Sequence, residues 1–321
     1  MPLTDISLDA LRAFRPDVDE PADFDSFWEN TLAESRAAGG AVELAPADTP
    51  ITQLIVEDLT FPGYNGEPIR AWVTRPRSAD ALPAVVEYIG YNGGRGIPGE
   101  RLQWASAGYV HVLMDTRGQG SGWGTGGHTP DPHGSGSAVA GFMTRGISHP
   151  DTYFYRRVYT DGVRLIDAVK ELPFVDASRI AVTGTSQGGG ISLAVGGLVE
   201  GLVGVMPDVP YLCAFRRATE LTPQAPFTEI TQYLAAHRGQ EDTVFNTLSY
   251  FDGVNFARRI LSPSLFSVAL MDPIVLPSTV FAAYNHLAAE DREIAVYPYN
   301  GHEGGQAYQW LRQTGWLAAR I

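Results

Sequence analysis

The sequence predicts an α/β fold, with a mostly parallel sheet of about eight strands covered by helices on both faces. Three observations carry that expectation. Apolar runs at 84–89, 109–115, 180–183, 202–206, 264–270 and 294–297 are nearly continuous, as in strands buried on both faces. Helical periodicity falls between several of them. The 321 residues, 44% hydrophobic and 18% charged, supply enough apolar material to cover a large central sheet.

The elements follow in chain order. Phe24, Phe27, Trp28, Thr31 and Leu32 repeat at helical spacing within 23–34, with Asp23 as N-cap and Gly39-Gly40 closing the segment. This helix reads as part of an N-terminal extension over 1–50. Segments 51–59 and 70–74 read as antiparallel strands joined through Pro62-Gly63-Tyr64-Asn65-Gly66. Leu165, Ala168, Val169 and Leu172 share a helix face, and Pro173 ends that helix. Val280, Ala283, Tyr284 and Leu287 share another, with Ser278 as its N-cap. After the sixth strand the alternation stops. Residues 207–260 form a long, mainly helical, aromatic-rich stretch whose length suits an inserted cap over the carboxyl edge of the sheet. The chain is read as a single domain over 1–321.

Charge narrows the partners. A net charge of −13 argues against nucleic acid and anionic membranes. Cys213 is the only cysteine, which excludes an intrachain disulfide and agrees with a reducing compartment. The first residues carry Asp5, Asp9, Arg12 and Arg15 rather than a basic start and an apolar run. No stretch approaches the ~20 apolar residues of a membrane span. The expectation is a soluble, cytoplasmic protein.

The chemistry concentrates at Gly184-Thr185-Ser186-Gln187-Gly188, a G-x-S-x-G nucleophile elbow. A strand precedes it, and Gly188-Gly189-Gly190-Ile191-Ser192-Leu193 can open a helix after it. A sharp strand-to-helix turn lifts the serine Oγ clear of the sheet, and small glycines let the two elements approach. This context predicts an α/β-hydrolase with Ser186 as nucleophile. A serine hydroxyl needs an adjacent base, itself held by an acid, and in this fold the chain order is serine, acid, histidine.

His302 follows the last strand through Pro298-Tyr299-Asn300-Gly301 and is the expected base, whereas His286 lies within a helix and reads as a packing or solvated residue. Asp272 directly follows the strand 264–270 and is preferred as the acid. Asp208, after the earlier strand, competes with it, but Pro207 and Pro210 make it resemble an ordinary turn residue. Asp291 reads as a helix-end residue. An oxyanion hole needs two donors. The Gln187 N–H is one, and the loop Gly90-Tyr91-Asn92-Gly93-Gly94 supplies the other, expected at Tyr91.

Weaker motifs carry less. Gly122-Trp123-Gly124-Thr125-Gly126-Gly127 matches G-x-G-x-x-G, but no helix pattern follows it. His302-Glu303 begins a zinc H-E-x-x-H that Gln306 breaks. His128 and His133 sit in a Gly/Pro-rich loop without a neighbouring cysteine or acid cluster and read as surface residues. Trp123 fits either the wall of a substrate pocket or a core aromatic.

Together these segments resemble carbohydrate esterase family 7, the acetyl xylan esterase and cephalosporin C deacetylase group. Arg117-Gly118-Gln119, the elbow and His302-Glu303 appear in the family's order. The likeness extends through Asp23-Phe24-Asp25-Ser26-Phe27-Trp28, Arg156-Arg157-Val158-Tyr159-Thr160-Asp161 and the segment 271–280. The resemblance implies a serine esterase that removes acetyl groups from small acetylated substrates, among them xylo-oligosaccharides and cephalosporin C. It implies a triad of Ser186, Asp272 and His302, oxyanion donors at Tyr91 and Gln187, no metal or organic cofactor, and a homo-oligomer, commonly a hexamer. One departure stands out. The family usually has a histidine before the Gly-Tyr of the oxyanion loop, where this chain has Ile89, at the end of an unusual Glu87-Tyr88-Ile89. Other hydrolase activities (a peptidase, or an esterase for long acyl chains) would keep the same triad, and a non-catalytic binding protein could share the fold.

Overall fold

The computed structural model describes residues 5–134 and 136–321, so the first four residues of the expected extension lie outside it. Nine strands form one sheet: β1 (Glu43–Pro46), β2 (Leu54–Pro62), β3 (Pro68–Pro76), β4 (Leu82–Tyr88), β5 (Val110–Met114), β6 (Val175–Thr185), β7 (Gly204–Asp208), β8 (Ser264–Ala269) and β9 (Arg292–Tyr297). Their order in space is β1-β2-β3-β5-β4-β6-β7-β8-β9. β1, β2, β3 and β5 pair antiparallel, and every neighbour from β5 to β9 pairs parallel. The extra strand relative to expectation is β1. It is four residues long and mostly exposed, so no apolar run marks it.

The helices are α1 (Leu8–Ala13), α2 (Phe24–Ala38), α3 (Gln103–Ser106), α4 (Phe154–Lys170), α5 (Gln187–Leu198), α6 (Phe215–Leu221), α7 (Thr228–Ala236), α8 (Glu241–Ser249), α9 (Gly253–Ala257), α10 (Pro277–His286) and α11 (Gln306–Ala318). Side chains alternate along each central strand, and both faces are covered. Ala84, Val86, Ile180, Val182, Val205, Phe266 and Val268 join the core under α4, α5 and α10. Val85, Ala181, Met206 and Leu265 turn the other way onto Trp104 of α3 and Trp316 and Leu317 of α11. That two-sided burial is why the runs read as continuous, and each fully buried Val, Leu or Phe contributes about 1.5–3 kcal/mol.

Two expected caps differ. α2 begins at Phe24, but the Asp23 side chain accepts the Tyr250 hydroxyl at 2.6 Å and caps nothing. α10 begins at Pro277, and Ser278 lies inside it. The Ser278 N–H donates to the buried Asp5 carboxylate at 2.7 Å, so one orphan donor of this helix is met from the far end of the chain. Asp291 lies just before β9 rather than at a helix end and pairs with Arg320 at 2.8 Å. Among the described residues, no helix is long and apolar enough to cross a membrane.

Candidate active site

β6 ends at Thr185, α5 begins at Gln187, and Ser186 joins them at φ 59°, ψ −117°. A non-glycine residue there stores strain of order 1–3 kcal/mol, and the surroundings hold it in place. The Ser186 N–H donates to the Asp208 carbonyl at 2.9 Å, and the Ser186 carbonyl accepts the Tyr211 N–H at 2.9 Å. The elbow glycines are required by proximity. A Cβ on Gly184 would lie 2.4 Å from the Gly188 carbonyl carbon, and one on Gly188 would lie 2.1 Å from the Tyr88 carbonyl oxygen.

The structure brings Ser186, His302 and Asp272 together from three loops at the carboxyl edge of the sheet. His302 Nε2 is 3.0 Å from Ser186 Oγ, and His302 Nδ1 is 2.8 Å from Asp272 Oδ2. A carboxylate only accepts, so Nδ1 carries the proton toward Asp272, and Nε2 is left to accept the serine hydroxyl. Asp272 is fully buried. Its Oδ1 accepts the N–H groups of Ile274 and Val275 at 2.8 and 2.9 Å, which leaves Oδ2 to the imidazole.

Asp208 occupies a different role from the turn residue expected. It ends β7, and its carboxyl oxygens accept Gln313 Nε2 at 3.1 Å rather than His302. Burial raises its pKa to about 7, against the pull of its hydrogen bonds. His286 Nδ1–H donates to the Ala282 carbonyl, 2.8 Å away, and burial lowers its pKa.

Gln187 opens α5, so its N–H has no acceptor within the helix and points out beside Ser186. The Tyr91 N–H makes no hydrogen bond among the described residues, and its loop is held from several sides. The Asn92 N–H donates to Gln119 Oε1 at 2.7 Å, and Trp123 Nε1 donates to the Tyr91 carbonyl at 2.7 Å. Trp123 is therefore not a core aromatic. Its indole, 47% exposed, lies flat enough on Gly93 that a Cβ there would sit 2.4 Å from the ring. The stretch 122–127 forms turns and no helix. Gln187 Nε2 donates to the Ile89 carbonyl at 3.1 Å, and Gln187 Oε1 accepts Gln119 Nε2 and the Tyr155 hydroxyl, each at 2.9 Å.

The unusual strand end has a local explanation. Burial pushes the Glu87 carboxyl up, but Arg101 and His111 outweigh it and hold the pKa at about 2. Glu87 Oε2 lies 2.8 Å from His111 Nε2. Beyond it, Arg117 is fully buried, its guanidinium forked onto Asp161 at 2.6 and 2.8 Å and onto Glu67 at 2.5 Å. His133 reaches the same Glu67 at 2.6 Å, an acid that the local sequence around it did not offer. His128 is exposed.

The profile of the acetyl xylan esterase family, AXE1, matches residues 1–320. The chain belongs to this family of carboxylic ester hydrolases. It is similar over 98% of its length to the acetyl xylan esterase from Paenibacillus sp. R4, at 39% identity and a TM-score of 0.92, covering all of that chain. Acetyl xylan esterase 1 from Thermoanaerobacterium sp. JW/SL YS485 superimposes on 99% of the chain and all of its own, at 32% identity and a TM-score of 0.91. Acetyl esterase Axe7A of Xylanibacter ruminicola is 26% identical over 304 residues, 90% of this chain, and the chain spans 65% of that relative's length. Ile89, the residue before Gly90-Tyr91, is buried and tied by its carbonyl to Gln187.

Proposed function

We propose that the chain is a serine esterase that removes acetyl groups from small acetylated substrates by two-step acyl transfer. The continuous hydrogen-bond path from Ser186 through His302 to Asp272 carries this reading. Ser186 Oγ attacks the ester carbonyl while His302 Nε2 takes its proton, and Asp272 fixes the tautomer and stabilises the imidazolium. The N–H groups of Gln187 and Tyr91 receive the developing oxyanion. The alcohol leaves with the proton from His302, and a water activated by the same imidazole then releases acetate. Family membership supports the acetyl group as the acyl part. Acetylated xylo-oligosaccharides and cephalosporin C type esters are the substrate classes implied.

The reading includes a homo-oligomer, a hexamer by family resemblance, and a role for 207–260 as a cap over the site. The exposed apolar side chains of Tyr299, Tyr308 and Leu311, beside the His302 loop and on α11, support association.

The test compares p-nitrophenyl acetate with p-nitrophenyl octanoate for wild type and Ser186→Ala. Turnover of acetate far above octanoate, lost by on the order of 10³–10⁶ in the variant, is expected. Equal turnover of octanoate would move the assignment to a long-chain esterase. A variant as active as wild type would end the serine mechanism.

A further inference from the structure

The Tyr91 side chain is anchored by a residue that belongs to neither the elbow nor its loop. The Tyr91 hydroxyl donates to Glu229 Oε1 at 2.6 Å and accepts the Phe142 N–H at 2.6 Å. Glu229 Oε2 accepts the Met143 N–H at 3.0 Å. Glu229 lies on α7, 138 residues from Tyr91, and only 8% of it is exposed. The carboxylate reaches this point because residue 141 is glycine: a Cβ there would sit 2.2 Å from Glu229 Oε1.

We propose that Glu229 is a positioning residue for the oxyanion loop, holding Tyr91 by its side chain so that the Tyr91 N–H stays aimed at the acyl oxygen. This rests on the reading of that N–H as an oxyanion donor. The loop backbone is braced on one side through Trp123 and Gln119, and Glu229 supplies the brace on the other. Both oxygens of the carboxylate must accept, one from the Tyr91 hydroxyl and one from Met143. A glutamine of the same shape has one acceptor and one donor. Its amide nitrogen must therefore face either the Met143 N–H or a hydroxyl oxygen that already accepts Phe142. The anchor thus requires the carboxylate and not merely its volume. It also makes the position of α7, within the long segment between β7 and β8, felt at the reacting carbonyl.

The experiment measures kcat and KM for p-nitrophenyl acetate, and inhibition by phenylboronic acid, for wild type, Glu229→Gln, Tyr91→Phe, the double variant and Ser186→Ala. The boronic acid forms a tetrahedral adduct on a serine and places an oxygen where the oxyanion develops. Glu229→Gln and Tyr91→Phe are each expected to lower kcat by about 5- to 100-fold with KM within about twofold. Boronate binding should weaken in parallel, and the double variant should be no slower than the slower single. Thermal unfolding separates misfolding from mispositioning. If Glu229→Gln does not fold, Tyr91→Phe, which removes one oxygen, decides the matter through the same two readouts.

Wild-type kcat and boronate affinity in the folded variants, or losses that multiply in the double variant, would overturn the positioning role while leaving the serine mechanism intact. An active Ser186→Ala would instead overturn the mechanism on which the role rests.

Discussion

The Ser186 N–H donates to the Asp208 carbonyl at 2.9 Å, while the Asp208 carboxyl turns away to Gln313. The residue that steadies the nucleophile's backbone is thus a different aspartate from the one that holds the imidazole. Backbone and side chain at 208 have separate duties, and the two aspartates can be told apart by experiment.

Asp272→Asn removes the acceptor that fixes the His302 tautomer, because an amide can present N–H to Nδ1 and drive the ring proton to Nε2. The kcat for an acetyl ester at neutral pH should fall by on the order of 10³–10⁴. Asp208→Asn keeps the carbonyl that receives Ser186 and should stay within about tenfold of wild type. Steady-state assays of the two variants side by side check this. A larger loss in Asp208→Asn would reverse the assignment of the acid.

The same Asp208 makes stability depend on pH. Its pKa rises from 3.8 to about 7 on folding, so the native state binds this proton more tightly than the unfolded state. The stabilisation is fully present at low pH and is lost as pH climbs from about 4 through 7. At about 1.36 kcal/mol per unit the loss is bounded near 4 kcal/mol, and because Asp208 sits at the strand end with part of its surface still open to solvent, it falls below that bound. Asp208→Asn cannot lose a proton. Its unfolding temperature relative to wild type should increase between pH 4 and pH 8, and a constant difference across that range would contradict the buried acid.

Arg117 tests the support beneath the site. Arg117→Met leaves Asp161 buried without its forked partner, a loss worth about 3–5 kcal/mol. Arg117→Lys keeps the charge but cannot make the two parallel bonds to Asp161, so it should fall between the methionine variant and wild type. Urea unfolding of the three proteins measures both steps. Equal stability for all three would mean that the pairing contributes nothing.

The meeting of Ser186, Asp272 and His302 was legible because their signals are local. A strand, a glycine-flanked serine and a helix are contiguous, and Asp272 and His302 each follow a strand that the pattern marks. The loop of Tyr91, proposed to supply the second oxyanion donor, was legible as a position after β4. Its supports were not. Gln119, Trp123 and Glu229 meet Tyr91 and its loop from 27 to 138 residues away, and no periodicity encodes that meeting. Asp208 illustrates the limit, since its type fitted several roles and only its neighbours distinguish them. The two expected caps failed for different reasons: the Tyr250 hydroxyl takes the Asp23 carboxylate, while α10 begins at Pro277, so Ser278 lies inside it and its hydroxyl accepts Arg217 Nε at 2.6 Å.

By itself, then, the sequence marked the layers of the fold, and it singled out Ser186, Asp272 and His302 as residues that would meet at one edge of the sheet. Burial on two faces writes itself into continuous apolar runs, and a tight turn writes itself into glycines. Tertiary structure added the geometry by which Asp272 rather than Asp208 meets the imidazole, the burial that raises the Asp208 pKa, and the contacts that hold the Tyr91 loop. Those outcomes depend on distances of about 3 Å between groups far apart in the chain, and on the burial that sets each charge, neither of which a linear pattern records.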